Sequence, residues 1–227
     1  MTPATGRKPR LAVLVSGRGS NLQAVLDAIA DGRLEAEIIG VFSDRPGAAA
    51  LERVPPERRW SADARGFPDR TAFDAALAEA VDAMAPDWVF CAGYMRILGD
   101  AFVQRFDGRL LNVHPSLLPR YKGLHTHARA LEAGDAEHGA SVHFVVPELD
   151  AGAVVAQARI PVQPGHTPES LAARLLPHEH RLVVACLALA TAGRLAERGG
   201  QVRLDGQTLF RPLELDSAGN LHPGSHT

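Results

Sequence analysis

The stretch Leu110–His127, LLNVHPSLLPRYKGLHTH, holds three histidines, two prolines and an asparagine in eighteen residues, directly after an apolar run. On an extended strand end Asn112 and His114 point to the same side, and Pro115 disfavours helix at His114. An amide donor beside an imidazole suits acyl transfer: the donor stabilises a developing oxyanion while the imidazole handles protons near neutral pH. Asp150, in PELDAG, is the candidate carboxylate to hold His114 charged and oriented. A bland reading stays open for each of them: ordinary hydrogen bonding for Asn112 and His114, a plain turn aspartate for Asp150.

A second candidate is SGRGSN, Ser16–Asn21, between an apolar run and a helical pattern. Its glycines let backbone N–H groups approach a ligand, and the helix that follows favours an anion such as phosphate at its N-terminus. The loop lacks the third glycine of G-x-G-x-x-G and the G-K-[ST] of a P-loop, so neither a dinucleotide nor an ATP reading fits well. A tight turn with a helix cap is the structural alternative. His125 with His127, and His178 with His180, invite a zinc reading, but no H-E-x-x-H or paired C-x-x-C accompanies them. No metal is expected. No G-x-S-x-G elbow is present, which disfavours serine hydrolase chemistry.

The elements that must position these groups follow from periodicity. LAVLV, Leu11–Val15, is a short apolar run with the pattern of a strand buried on both faces. A helix then carries Leu22, Val25, Leu26 and Ile29 at helical spacing, with Ser20 or Asn21 as N-cap and Gly32 as stop. AEIIGVFSD is again a strand, which completes a β-loop-α-β unit and implies a parallel sheet with a right-handed crossover. A third strand near Val54 or Trp60 is poorly specified, because three prolines and many charges interrupt ERVPPERRWSADARGFPDR. Further on, Phe73, Leu77 and Val81 mark a helix that Pro86 ends, DWVFCAG a strand, YMRILGDAFVQRF a helix and GRLLNVHP the strand that carries Asn112 and His114.

Beyond His138 the character changes. HGASVHFVV and AVVAQARIPV read as two strands joined by PELDAG with no helix between them. Thr167 and Pro168 open a long helix that Pro177 should kink or break. A hairpin is predicted around Asp205-Gly206, and ELDSAGNLHPGSHT reads as a frayed tail. The fold class is therefore α/β: a doubly wound, mostly parallel twisted sheet with helices on both faces and antiparallel strands added in the C-terminal half. Residues 1–10 read as a flexible leader, 11–206 as a single domain and 207–227 as a tail. In such a sheet ligands collect beyond the carboxyl ends of the strands, where both candidate motifs fall.

Composition narrows the classes. The chain is 46% hydrophobic, 22% charged and 5% aromatic with a formal charge of -2, an ordinary globular balance with no basic excess to attract nucleic acid or an anionic membrane. Cys91 and Cys186 lie in apolar stretches and read as buried thiols of a reducing cytoplasm. The apolar run behind the N-terminal charges is too short for a signal sequence, and no stretch reaches the roughly 20 apolar residues that span a bilayer. A cytoplasmic protein is expected.

Taken together, LVSGRGSNLQAVLDAI, CAGYMRIL, LLNVHPSLLPRYKGLHTHARALEAGDAEHGASVHFVVPELDAG and Glu179-His180 resemble the folate-dependent phosphoribosylglycinamide formyltransferase family of purine biosynthesis, in that family's order and spacing from about Leu11 to about Arg181. The block N-x-H-P-S-L-L-P is shared with other users of 10-formyltetrahydrofolate, including methionyl-tRNA formyltransferase and formyltetrahydrofolate deformylase; KGLHTH narrows the resemblance. It implies transfer of a formyl group from 10-formyltetrahydrofolate, as cosubstrate, to the amine of 5-phosphoribosylglycinamide, without metal or covalent intermediate, by a monomer or homodimer. Asn112 and His114 would polarise the formyl oxygen, and Asp150 would favour the charged imidazole and, through water, help move the proton. Gly19, Ser20 and Asn21 match the phosphate loop, and Glu179 matches the residue that orients the substrate amine. Met95, Arg96, Ile97 and Leu98, together with Asn112, match the folate pocket; Arg70 matches a position near the benzoylglutamate end.

The resemblance has departures. Leu176 stands where the family often has Lys or Gln, with Pro177 behind it; Ala151 replaces a glycine, Tyr94 a phenylalanine, and the segment 54–67 diverges most. The rival readings are a hydrolase that releases formate, another formyl-folate transferase, and a folate- or nucleotide-binding protein without turnover.

Overall fold

The structure, a computed structural model, describes residues 6–224. Strand β1 (Arg10–Val15), helix α1 (Ser20–Ala30) and strand β2 (Glu37–Ser43) form the expected first unit, and β1 and β2 pair in parallel. The uncertain third strand is β3 (Arg59–Ser61), three residues centred on Trp60. Helix α2 (Arg70–Ala83), β4 (Trp88–Cys91), α3 (Asp100–Arg105), β5 (Leu110–His114) and α4 (Thr126–Glu132) follow. Strands β6 (Glu137–Phe144) and β7 (Val154–Pro161) then pair antiparallel in front of the long helix α5 (Pro168–Thr191).

Beyond α5, β8 (Leu195–Arg198), β9 (Gln201–Leu204) and β10 (Gln207–Thr208) make a small antiparallel sheet, while β11 (Leu213–Leu215) and β12 (Leu221–Pro223) return to the main one. The main sheet runs β12-β11-β7-β6-β5-β4-β1-β2-β3. Its parallel half, β5-β4-β1-β2-β3, meets an antiparallel addition at β6.

Alternation along β1 splits the core into two layers. Leu11, Val13 and Val15 join the cluster that holds α1 and α5, whereas Ala12 and Leu14 join the one that holds α2 and α3. Phe90 and Leu111 are fully buried beside them, and truncating side chains of this kind to alanine costs roughly 2–5 kcal/mol. Both faces of β1, β4 and β5 are thus fixed, and their carboxyl ends are held together at one edge.

Several expectations are corrected. The cap of α1 is Gly19, not Ser20 or Asn21: Gly19 is left-handed (φ 73°) and a Cβ there would stand 2.5 Å from Ala50 Cβ, so only glycine fits. The helix read over YMRILGDAFVQRF shrinks to α3, because side chains take the amides ahead of it: Met95 N–H donates to Ser16 Oγ at 2.8 Å and Gly99 N–H to Asp74 Oδ2 at 2.8 Å. Pro177 does not break α5. The capping box of Thr167 and Ser170 and the buried Leu171, Leu175, Leu182 and Val183 hold both halves in one helix. The frayed tail is instead strand in part: the Asp205-Gly206 turn closes the predicted hairpin, and β11 adds in parallel to β7. Residues 225–227, like residues 1–5 of the expected leader, lie outside the described residues. Behind the latter, Arg7 grips Asp87 with two bonds of 2.6 and 2.7 Å.

Candidate active site

A cavity of about 500 Å³ opens at the carboxyl ends of β4 and β5, bounded by the start of α1, the loop Gly93–Leu98, the segment Gly123–His127 and the turn around Asp150. Asn112 and His114 stand on its floor side by side, as their alternation on β5 requires. His114 Nε2 lies 2.9 Å from the carbonyl of Tyr121. A carbonyl only accepts, so Nε2 carries the proton and donates, which turns Nδ1 toward Asp150 Oδ2 at 3.4 Å. Asp150 is held in place by the N–H of Gly123, which donates to the same oxygen at 2.8 Å.

His143, on β6 opposite Asn112, completes the floor. Burial outweighs the nearby Asp150 and keeps its pKa below the usual histidine value, so the ring is neutral at neutral pH. Its Nδ1–H donates to the carbonyl of Phe144 at 2.8 Å, which leaves Nε2 to accept from Asn112 Nδ2 at 3.1 Å. This fixes the amide's orientation with one N–H still free for a ligand oxygen. The residue looked in sequence like one more position in an alternating strand; the signal that finds it is its register opposite Asn112.

The ribonucleotide and folate candidates divide between wall and rim. Met95, Arg96, Ile97, Leu98, Asn21 and Glu179 line the cavity; Gly19, the cap of α1, and Ser20, its first residue, adjoin Asn21 outside the lining, and Arg70 stands outside the wall, its Nε 3.5 Å from Asp74 Oδ2. Glu179, on α5, accepts from Asn21 Nδ2 at 2.6 Å, and burial pushes its carboxyl pKa up despite that bond. Asn21 Oδ1 is buried with no protein partner. Ser16, which sequence reasoning passed over, ties the two loops together: it donates to Asp44 Oδ1 at 2.6 Å and accepts from Met95 N–H.

The histidine pairs do not converge on a ligand set. Among the described residues no group of three His, Cys, Asp or Glu side chains is placed to hold a metal ion. His127 Nδ1 meets His138 Nε2 at 2.9 Å, and His178 Nδ1 accepts from Arg181 at 3.1 Å. Cys91 borders the cavity, but burial pushes its thiol up to about 12, so it offers no thiolate at neutral pH. Ser116 spends its hydroxyl on the Arg120 carbonyl at 2.6 Å.

An acceptor-holding amide and an oriented imidazole, with no activated nucleophile beside them, are the equipment of an enzyme that passes an acyl group directly from donor to acceptor. The chain belongs to the formyl transferase family, which residues 9–187 match. It is 45% identical over 201 residues to the phosphoribosylglycinamide formyltransferase of Escherichia coli K12, covering 88% of this chain and 95% of that protein. To the Haemophilus influenzae enzyme of the same name it is 41% identical, with the same coverage of both chains. The solved structure of the Coxiella burnetii phosphoribosylglycinamide formyltransferase superposes with a TM-score of 0.84 at 44% identity, covering 89% of this chain and 96% of that one. No helix among the described residues is long and apolar enough to cross a membrane.

Proposed function

We propose that this chain transfers the formyl group of 10-formyltetrahydrofolate to the amine of 5-phosphoribosylglycinamide, in the cytoplasm, as a monomer or homodimer. The names of its relatives support the substrates, and the observation that carries the mechanism is the contact of His114 with Asp150 beside the Asn112 amide, which lines the cavity with one N–H unused. The amine attacks the formyl carbon, a C–N bond forms and the carbonyl π electrons move to oxygen. Asn112 Nδ2–H donates to the resulting oxyanion, and the adjacent His114 ring, its two nitrogens turned to Tyr121 and Asp150, favours it through its positive charge when protonated. Collapse breaks the bond to the folate nitrogen, and the proton lost by the amine reaches that nitrogen with help from the His114–Asp150 pair.

Glu179 orients the attacking amine from the opposite wall, while Gly19, Ser20 and Asn21 hold the phosphate at the start of α1, where the N–H groups and the helix dipole favour an anion. Met95, Arg96, Ile97 and Leu98 hold the folate, and Arg70, from outside the wall, meets its glutamate end. The test is an absorbance assay on purified protein with 10-formyltetrahydrofolate, with and without 5-phosphoribosylglycinamide. Turnover only with the glycinamide, with the N-formyl product found by mass, supports the proposal. Formate release without it moves the chain to the hydrolase reading, and no turnover in either arm to a binding role.

A further inference from the structure

The segment Arg120–Gly123 touches both members of the titratable pair: the Tyr121 carbonyl accepts from His114 Nε2 at 2.9 Å and the Gly123 N–H donates to Asp150 Oδ2 at 2.8 Å. The spacing of His114 and Asp150 therefore depends on where this short segment sits. Its backbone does not rest in a common conformation, because Tyr121 is left-handed at φ 55°, a region that a bulky side chain occupies only when its surroundings impose it.

What imposes it is the Tyr121 side chain. The hydroxyl donates to Asp135 Oδ2 at 2.7 Å, and that carboxylate also pairs with Arg120 Nη1 at 3.1 Å. The Arg129 guanidinium lies over the ring, 5.2 Å from its centroid, and donates onward to the Lys122 carbonyl at 2.7 Å. None of these side-chain groups lines the cavity. We propose that Tyr121 is a positioning residue for the transfer reaction: its hydroxyl, anchored on Asp135, pins the segment that sets both the tautomer of His114 and its distance from Asp150. The proposal rests on the functional reading above and adds to it a determinant outside the cavity.

The test is Tyr121→Phe, which keeps the ring under Arg129 and removes only the anchoring hydroxyl. The expected result is a kcat lowered about 10-fold, with both KM values within about 2-fold of the unchanged protein, because transition-state geometry is lost while binding groups remain. The His114 imidazole nitrogens, followed by heteronuclear NMR, should lose the single hydrogen-bonded Nε2–H signal. Asp135→Ala removes the same bond from the carboxylate side and should reproduce both changes. Unchanged kcat with an unchanged His114 spectrum overturns the proposal, whether or not the melting temperature falls. The NMR readout needs no turnover, so a chain that transfers no formyl group would sink the functional reading and still leave the positioning claim decided by the spectrum.

Discussion

His114 Nδ1 stands 3.4 Å from Asp150 Oδ2, with each side chain 8% exposed. The distance is long for a made hydrogen bond and short for an accident. Both groups are held from behind, His114 by the Tyr121 carbonyl and Asp150 by the Gly123 amide.

Removing either floor residue should separate chemistry from folding. His114→Ala and Asn112→Ala are each expected to lower kcat by at least ~10², with circular dichroism and melting temperature close to those of the parent. Steady-state kinetics beside a thermal melt checks this, and a folded variant at full rate would refute the assigned roles.

Gly19→Ala tests the phosphate loop. The added Cβ would meet Ala50 at 2.5 Å in a left-handed conformation, a strain on the order of 1–3 kcal/mol. The KM for the ribonucleotide should rise about 10-fold or more while the KM for the folate stays near its parent value. Equal rises in both would mean that the loop serves general folding instead.

Glu179 carries a cost at neutral pH. Burial raises its pKa from the ordinary value of 4.5, so the folded chain binds more protons than the unfolded one between that value and the raised one. Stability from this group therefore falls as pH climbs through that window. Glu179→Gln, which can still accept from Asn21, should melt higher than the parent at pH 7 yet turn over at least ~10-fold more slowly. A lower melting temperature at pH 7 would contradict the sign.

His138 gives the opposite slope. It is 1% exposed beside His127, and burial lowers its pKa to about 4 from 6.5. The folded state binds fewer protons than the unfolded one between those values, so its contribution is intact above pH 6.5 and is lost on acidification toward pH 4, on the order of 1–3 kcal/mol. Denaturant unfolding at pH 7 and pH 5 should show a smaller drop for His138→Asn than for the parent; an equal drop would assign the acid sensitivity elsewhere.

The sequence carried the first β-loop-α-β unit and the Asn112–His114 floor because both are local: apolar runs bounded by turns, and a period of two ahead of a proline. Asp150 was legible as a candidate partner of His114, but a plain turn aspartate fitted the same residues, since its approach to His114 is made by the pairing of β6 with β5, which no local pattern encodes. His143 was missed for the same reason. YMRIL looked helical because its apolar spacing fits a helix, but the Ser16 hydroxyl, nearly eighty positions earlier, claims the Met95 amide. Pro177 inside α5 and the strand β11 beside β7 show the converse, with packing overriding local signals that pointed to a break and a frayed end.

The most direct test follows the transferred group itself. With 10-formyltetrahydrofolate carrying a carbon label in the formyl group, the label should appear on the glycinamide nitrogen of the ribonucleotide, and Asp150→Asn should slow this appearance by about 10² without diverting it. Label released as free formate in the presence of saturating 5-phosphoribosylglycinamide, or an Asp150→Asn variant that transfers it at the parent rate, would rule out direct transfer assisted by the His114–Asp150 pair.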